Sequence, residues 1–315
     1  SAVWTIKHGN DENRKNEVLN NIKTLNFKNL YDFLTNRESS QNLDSNIEDL
    51  KTQYKDFDIL SDLSLVVRVC VDIYYCRYHQ ILWRMLSGQK DGIIKELNLH
   101  AGESLISPMP GITVLLPLLK GKIESHYKEW LNLLINDNRD FNQQNIDTYL
   151  ENFTKLCKYF HLNPAKISVV TSSIFYEANI VLSEVFSEIR EKLNAFFEDK
   201  SYIANISGLF NTYQDFYDAV VTASDSNEIR LKPHRDLYSI ALHKTGVKSE
   251  DFNKVIGFED SESGSVAIRA AGIGMCVAVP FAQTAGHNLR AAAFIAQGGI
   301  PEVILEKKFF LDFRS

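Results

Sequence analysis

The first hundred residues have apolar side chains at helical spacing and almost no glycine or proline. Between about residues 12 and 100, apolar positions recur every three or four residues, as in Val18, Ile22 and Leu25. This spacing places them on one helix face and predicts an all-helical block. A tract from 35 to 45, rich in Asn, Ser and Gln, predicts a solvated loop.

The most apolar segment of the block runs from Leu63 to Leu86. It is interrupted by four charged side chains: Arg68, Asp72, Arg77 and Arg84. Because charges at this spacing are too costly in a bilayer, the pattern predicts a buried helix or pair of helices. We expect its aromatic residues, among them Tyr75 and Trp83, to form the core of the block. Residues 1–9 lack a basic region followed by an apolar stretch, so no secretory signal is expected.

The helical pattern ends at residues 107–111, Ser-Pro-Met-Pro-Gly, because two prolines and a glycine stop a helix and begin a turn. We place a domain boundary there. A second helical stretch from about 121 to 162 looks like an insertion. Beyond Asn163, short apolar runs alternate with helical stretches, which predicts a parallel sheet covered by helices. The runs are 167–171, 219–222, 255–258 and 275–279, and residues 2–6 form a fifth candidate strand.

Composition places the chain among ordinary globular proteins. It has 315 residues, 44% of them hydrophobic and 23% charged, enough for one large core or two unequal ones. The formal net charge of −6 gives no basic surface, so nucleic-acid binding is not expected. The four cysteines form no CxxC pair, which predicts buried reduced thiols in a cytoplasmic protein: Cys70, Cys76, Cys157 and Cys276.

Polar groups follow three of the predicted strands, and ligands gather at the carboxyl ends of parallel strands. Thr171 and Ser172 follow the first, where hydroxyls and backbone N–H groups can cradle a phosphate or carboxylate oxygen. Lys232 follows the second and is fixed by the next residue, a proline. Glu259 and Asp260 follow the third and are ligands of the type that hold Mg²⁺.

Each group taken alone has a more ordinary interpretation. A Ser or Thr after a strand is most often a helix cap, a Lys-Pro pair usually lies on the surface, and an acidic pair can cap the next helix. Three such groups at three strand ends are hard to assign to capping alone, so their convergence favours a binding site.

These segments resemble the haloacid dehalogenase-like (HAD) superfamily, and within it the β-phosphoglucomutase-like branch. The resemblance is carried by Ile167 to Ser173, Leu231 to Tyr238, Val255 to Gly264 and Ala270 to Gly272, with Met109 to Lys120 further back. It implies an α/β fold: a Rossmann-like parallel-sheet core of residues 1–10 plus 108–315, containing the insertion, and an all-helical cap of residues 11–107.

The resemblance also implies chemistry. Thr171 and Ser172 would contact the transferring phosphoryl group of a small phosphorylated metabolite, and Lys232 would neutralise charge on it. Asp260 with Glu259 would anchor Mg²⁺.

The family's first motif, an apolar strand followed by Asp-x-Asp-Gly-Thr, departs from its pattern here. The best match is residues 2–10, and aligning Gly9 with the motif glycine puts Ile6 at the nucleophile position and His8 at the acid/base position. Isoleucine cannot attack phosphorus, whereas His8 can still move protons. A rival match, Asp56 with Asp58, follows residues too polar for a central strand, so a polar loop or helix N-cap is its ordinary interpretation.

Two functions therefore stay open. The first is a Mg²⁺-dependent phosphatase or phosphomutase acting on a small phosphorylated metabolite. The second is a catalytically inactive HAD-like scaffold that binds a phosphorylated ligand or a protein partner. Neither involves nucleic acid or a membrane.

Overall fold

The computed structural model describes residues 12–26, 51–58, 63–96, 104–137, 145–226, 230–281, 284 and 286–306. The chain divides into two compact units, Ser1–Leu105 and Ile106–Ser315. The fifth candidate strand, residues 2–6, and the predicted loop, residues 35–45, lie outside the described residues.

Apart from a helical turn at residues 51–54, the described part of the first unit contains three helices and no strand. They are α1 (Glu12–Lys23), α2 (Leu63–Leu86) and α3 (Lys90–Glu96). The helical prediction is confirmed for these residues, and Leu63 to Leu86 form a single helix. No helix in the described part of the chain combines the length and apolar character needed to cross a bilayer.

The prediction that the aromatic residues of α2 form a core is wrong for two of them. Trp83 is 61% exposed and Tyr75 is 46% exposed. Together with His79 they are spaced four residues apart, so they share one exposed face of the helix. The buried positions of α2 include Val69, Ile73 and Leu82 instead.

The second unit contains nine helices in its described residues. They are α4 (Ile112–Leu119), α5 (Tyr127–Asn136), α6 (Ile146–Leu162), α7 (Phe175–Phe196), α8 (Lys200–Ser207), α9 (Tyr213–Phe216), α10 (Asp236–Lys244), α11 (Glu262–Ala270) and α12 (Gly299–Leu305). The helical stretch predicted from 121 to 162 corresponds to α5 and α6.

The strands of this unit form two parallel sheets. They are β1 (Ser168–Val170), β2 (Ala219–Val221), β3 (Ile256–Glu259), β4 (Met275–Ala278) and β5 (Phe294–Ile295). One sheet pairs β1 with β2, and the other has the order β3-β4-β5, with every pair parallel. The prediction of an α/β protein with parallel strands is confirmed, since the first four strands fall on the predicted runs.

Helices cover these strands and pack with them into three apolar clusters of described residues. Helix α10 packs on β1 and β2, and α11 packs on β3 and β4. The largest cluster includes the fully buried Trp130, Phe153 and Phe186. Of the predicted buried thiols, Cys157 and Cys276 are confirmed as buried and free, and burial raises the pKa of both.

A cavity of about 830 Å³ lies between β1 and β3. Its lining includes Ile167, Ser168 and Val170 from the β1 segment, and Ile256 and Phe258 from β3. Among the described residues, β1 pairs with β2 alone and β3 with β4 alone, so the cavity separates the two sheets. The lining continues on the amino-terminal side of both strands, at Lys166 and Val255, whereas Lys232 and Glu259 do not line the cavity. The candidate site is built instead at the carboxyl ends of β1 and β3.

Candidate active site

Lys232 joins the ends of the two sheets. Its Nζ donates a hydrogen bond to the carbonyl oxygen of Val170, the last residue of β1, at 3.0 Å. The same Nζ forms an ion pair with Oε1 of Glu259, the last residue of β3. Side-chain exposure is only 12% for Lys232 and 5% for Glu259. The structure therefore brings together the ends of the first and third predicted strands through the lysine that follows the second.

Four donors surround the Glu259 carboxylate. Oε1 accepts hydrogen bonds from Lys232 and from the Tyr238 hydroxyl, the latter at 2.5 Å. Oε2 accepts from the Ser261 hydroxyl at 3.1 Å and from the Asp260 backbone N–H at 3.3 Å. Because a carboxylate offers about four lone-pair positions, Glu259 is fully used by its neighbours.

These contacts determine the charge state of Glu259. Burial alone would raise the pKa of its carboxyl, but the Lys232 ammonium and the hydrogen bonds from Lys232, Tyr238 and Ser261 outweigh burial and lower the pKa. Glu259 is therefore an ionised acid at neutral pH. Burial and the Glu259 charge raise the pKa of Tyr238, so its hydroxyl keeps its proton and donates.

The first turn of α11 packs directly against Glu259. Ser261 is the N-cap of this helix, and its hydroxyl oxygen accepts from the Gly264 N–H at 3.1 Å. A Cβ at Gly264 would overlap the Glu259 carboxylate, so only glycine allows this approach. The positive end of the helix dipole favours the carboxylate at this place.

Asp260 provides the second carboxylate of the site. Burial, followed by the charge of Glu259, raises the pKa of Asp260 above its ordinary value. A cation beside Asp260 would lower this pKa and offset both effects, which makes the side chain a candidate cation ligand.

Thr171 and Ser172 lie at the end of β1, next to the carbonyl group that Lys232 contacts. The Thr171 N–H continues the β1–β2 pairing by donating to Val221 O at 2.9 Å. Its Oγ1 accepts from the Ser173 N–H at 3.1 Å, which leaves the hydroxyl proton for a ligand. Thr171 is half-buried and Ser172 is exposed.

The described residues test the two first-motif alignments unequally. Ile6 and His8 lie outside them. Residues 51–54 are helical, so no strand precedes Asp56, and both Asp56 and Asp58 are exposed. The rival first motif is therefore wrong as a strand followed by catalytic aspartates.

The sequence pattern alone did not identify Tyr238 as a site residue, although it ends the segment from Leu231 that carries the family resemblance. Tyr238 is 7% exposed in the first turn of α10, and Leu242 one turn later is 5% exposed. The spacing of Tyr238 and Leu242 places both on one buried helix face. This position could have identified Tyr238, because a buried tyrosine hydroxyl requires a polar partner.

Comparisons with known proteins leave the family open. No protein-family model matches the chain, and no curated protein is similar to it. CbbY from Rhodobacter sphaeroides, solved in complex with phosphate, is 12% identical with a TM-score of 0.33, over 61% of this chain and 90% of CbbY. A putative beta-phosphoglucomutase from Thermotoga maritima is 20% identical with a TM-score of 0.32, over 60% of this chain and 81% of the other. Because both the identities and the TM-scores are low, these similarities do not establish a family. The assignment to the α/β class rests on the strands and helices described above.

Proposed function

We propose that this chain binds the phosphoryl group of a small phosphorylated metabolite at the ends of β1 and β3, as a HAD-type phosphatase or phosphomutase of the cytoplasm. The observation that carries the proposal is the placement of Lys232. Its ammonium group is held at the carbonyl group preceding Thr171 and against Glu259, so a cation and a hydroxyl donor share one strand end. Such a pair is suited to phosphoryl oxygens.

Charge balance favours a divalent cation at the site. Lys232 contributes one positive charge, while Glu259 and Asp260 contribute up to two negative charges. A phosphoryl dianion would be repelled by this sum, and a Mg²⁺ ion would reverse its sign.

The residues fit Mg²⁺ through Asp260 more readily than through Glu259. In many sites Mg²⁺ is bound by one or two carboxylates and by substrate phosphate oxygens. Asp260 would provide one carboxylate, and Glu259 could join only by releasing one of its four donors. The described residues contain no group of three or more His, Cys, Asp or Glu side chains at metal-binding distance. When bound, Mg²⁺ would neutralise charge on the phosphoryl oxygens.

The protein's own side chains would bind the phosphoryl group and balance its charge. The Thr171 hydroxyl donates a hydrogen bond to a phosphoryl oxygen. The exposed Ser172 hydroxyl provides a further hydrogen-bond donor. Lys232 balances negative charge that develops during transfer, and Glu259 keeps this lysine in place. By the family resemblance, the nucleophile position falls on Ile6 and the acid/base position on His8.

Ile6 favours a second candidate function. Since isoleucine cannot form a phosphoryl intermediate, the chain would be an inactive HAD-like scaffold that binds a phosphorylated ligand or a protein partner. The two candidates share the phosphoryl site and differ in turnover.

Phosphate release from a panel of phosphorylated metabolites with Mg²⁺ tests the enzymatic candidate. We expect Lys232→Met and Asp260→Asn to lower the rate at least about a hundredfold, because each removes a charge from the reacting centre. Lys166→Met is the matched control. Lys166 lies just before β1, at the end of the strand opposite to the candidate site, and its Nζ donates a hydrogen bond to Thr245 O. Release that neither site variant affects would contradict the proposal.

A silent wild type would shift the test to the scaffold candidate. In that case Ile6→Asp/His8→Asp should gain phosphate release, because the double variant restores the family's first motif. If the silent wild type also fails to bind orthophosphate in equilibrium dialysis with Mg²⁺ present, the phosphoryl site itself is refuted.

A further inference from the structure

We infer that Tyr238 is a positioning residue that holds Lys232 and Glu259 in the geometry needed for phosphoryl binding. The inference rests on the proposed function for its purpose. Its structural part, control of Lys232 by Tyr238, stands on contacts within the second unit.

One tyrosine side chain contacts both members of the ion pair. Its hydroxyl donates to Glu259 Oε1 at 2.5 Å. The Lys232 Nζ lies over its ring, 5.2 Å from the centroid. A cation over an aromatic face is attracted by the ring quadrupole, so the ring and the hydroxyl act on opposite charges of the same pair.

The surroundings of Tyr238 fix the ring. It belongs to an apolar cluster with Ala267 and Ile268 of α11 and Cys276 of β4. Its neighbour Leu237 is fully buried against β2 residue Val221 in a second cluster. The ring is therefore packed against α11 and β4, and Leu237 anchors the same helix turn against β2, so these contacts define where the lysine and the glutamate can lie.

The hydroxyl also determines how Glu259 is shared. Oε1 has two donors, Lys232 and Tyr238, and the loss of one would leave a buried anion with an unused lone pair. Glu259 could then rotate toward other donors or toward a metal, and Lys232 would lose its fixed partner. We expect Lys232 to become more mobile and more accessible in Tyr238→Phe, which removes the hydroxyl and keeps the ring.

Acylation of lysines by acetic anhydride, followed by mass spectrometry of the full chain, measures the accessibility of Lys232 directly. Lys192 is the internal reference, because it also forms an ion pair, with Asp137. In Tyr238→Phe we expect the Lys232-to-Lys192 labelling ratio to rise about fivefold or more, the effect of losing one hydrogen bond to a charged group. Tyr213→Phe is the matched control, since Tyr213 is also buried and its hydroxyl donates to Asn179 Oδ1 at 2.7 Å.

Three results separate the inference from the proposed function. An unchanged ratio in Tyr238→Phe, or equal acceleration of Lys192, would overturn the positioning role, because a general loss of stability affects all lysines. A ratio that rises only in Tyr238→Phe supports it. With Mg²⁺ present, orthophosphate should also protect Lys232 in the wild type, and Tyr238→Phe should need an orthophosphate concentration about tenfold higher for the same protection. A raised ratio without protection of the wild type would leave the positioning role standing and refute the phosphoryl site.

Discussion

A buried carboxylate is stable only when its lone pairs meet donors, and Glu259 meets this condition through four different groups. The strand-end pattern was enough to predict Lys232, Glu259 and Asp260 as candidates, since polar residues after buried runs are conspicuous. It did not predict that Glu259 would be saturated by its neighbours. That property depends on Tyr238, which reaches the carboxylate from a separate helix.

Gly264 tests the close approach of α11 to Glu259. In Gly264→Ala the added Cβ would overlap the carboxylate, so we expect Glu259 to move and orthophosphate affinity to fall by about tenfold or more. Gly208→Ala is the control, because a Cβ there has no atom within 4 Å. Equal phosphate affinity of Gly264→Ala and the wild type, measured by equilibrium dialysis, would show that this packing does not support the site.

At the scale of elements, the apolar runs predicted four strands within a residue or two of their ends. The sequence did not show that these strands form two sheets, because pairing depends on tertiary contacts that periodicity does not encode. The sequence pattern also did not predict β5, because this strand has only two residues, Phe294 and Ile295, and both are exposed.

Asp218 ties three elements together and gives a pH-dependent prediction. Its carboxylate accepts from Lys120, which follows α4, at 2.7 Å and from the Ile167 N–H before β1 at 2.8 Å. Burial opposes ionisation, but these donors outweigh it and the pKa of Asp218 is lowered. A lowered folded-state pKa stabilises the fold above the ordinary aspartate value of about 3.9, and this contribution is lost as pH falls through the folded-state pKa.

We therefore expect Asp218→Asn to weaken the β1 region at pH 7 by about 1 kcal/mol, after allowance for partial exposure of the pair. Hydrogen exchange of the β1 amides should be about fivefold faster than in the wild type at pH 7. The stability difference should vanish in acid, below both pKa values. Asp251→Asn, in the exposed pair with Lys254, is the control and should leave exchange unchanged. A difference that persists in acid would contradict the assigned charge effect.

For the molecule as a whole, we predict that the Lys232 site attracts a phosphate although the net charge of the chain repels it. The chain carries a formal net charge of −6, so nonspecific attraction cannot explain the binding of a phosphate dianion. The acidic composition predicted no basic surface, but it could not predict that one ammonium group would join the ends of β1 and β3. That placement depends on Val170, Tyr238 and Glu259 together.

The most direct measurement is a calorimetric titration of orthophosphate into the full chain with Mg²⁺ present, for the wild type and for Lys232→Met. We predict saturable binding by the wild type and affinity at least about tenfold weaker in the variant, since a charge-assisted contact to the phosphate is lost. Equal affinity in the two proteins, or no binding by the wild type, would contradict the claim that Lys232 forms a phosphoryl-binding site at the ends of β1 and β3.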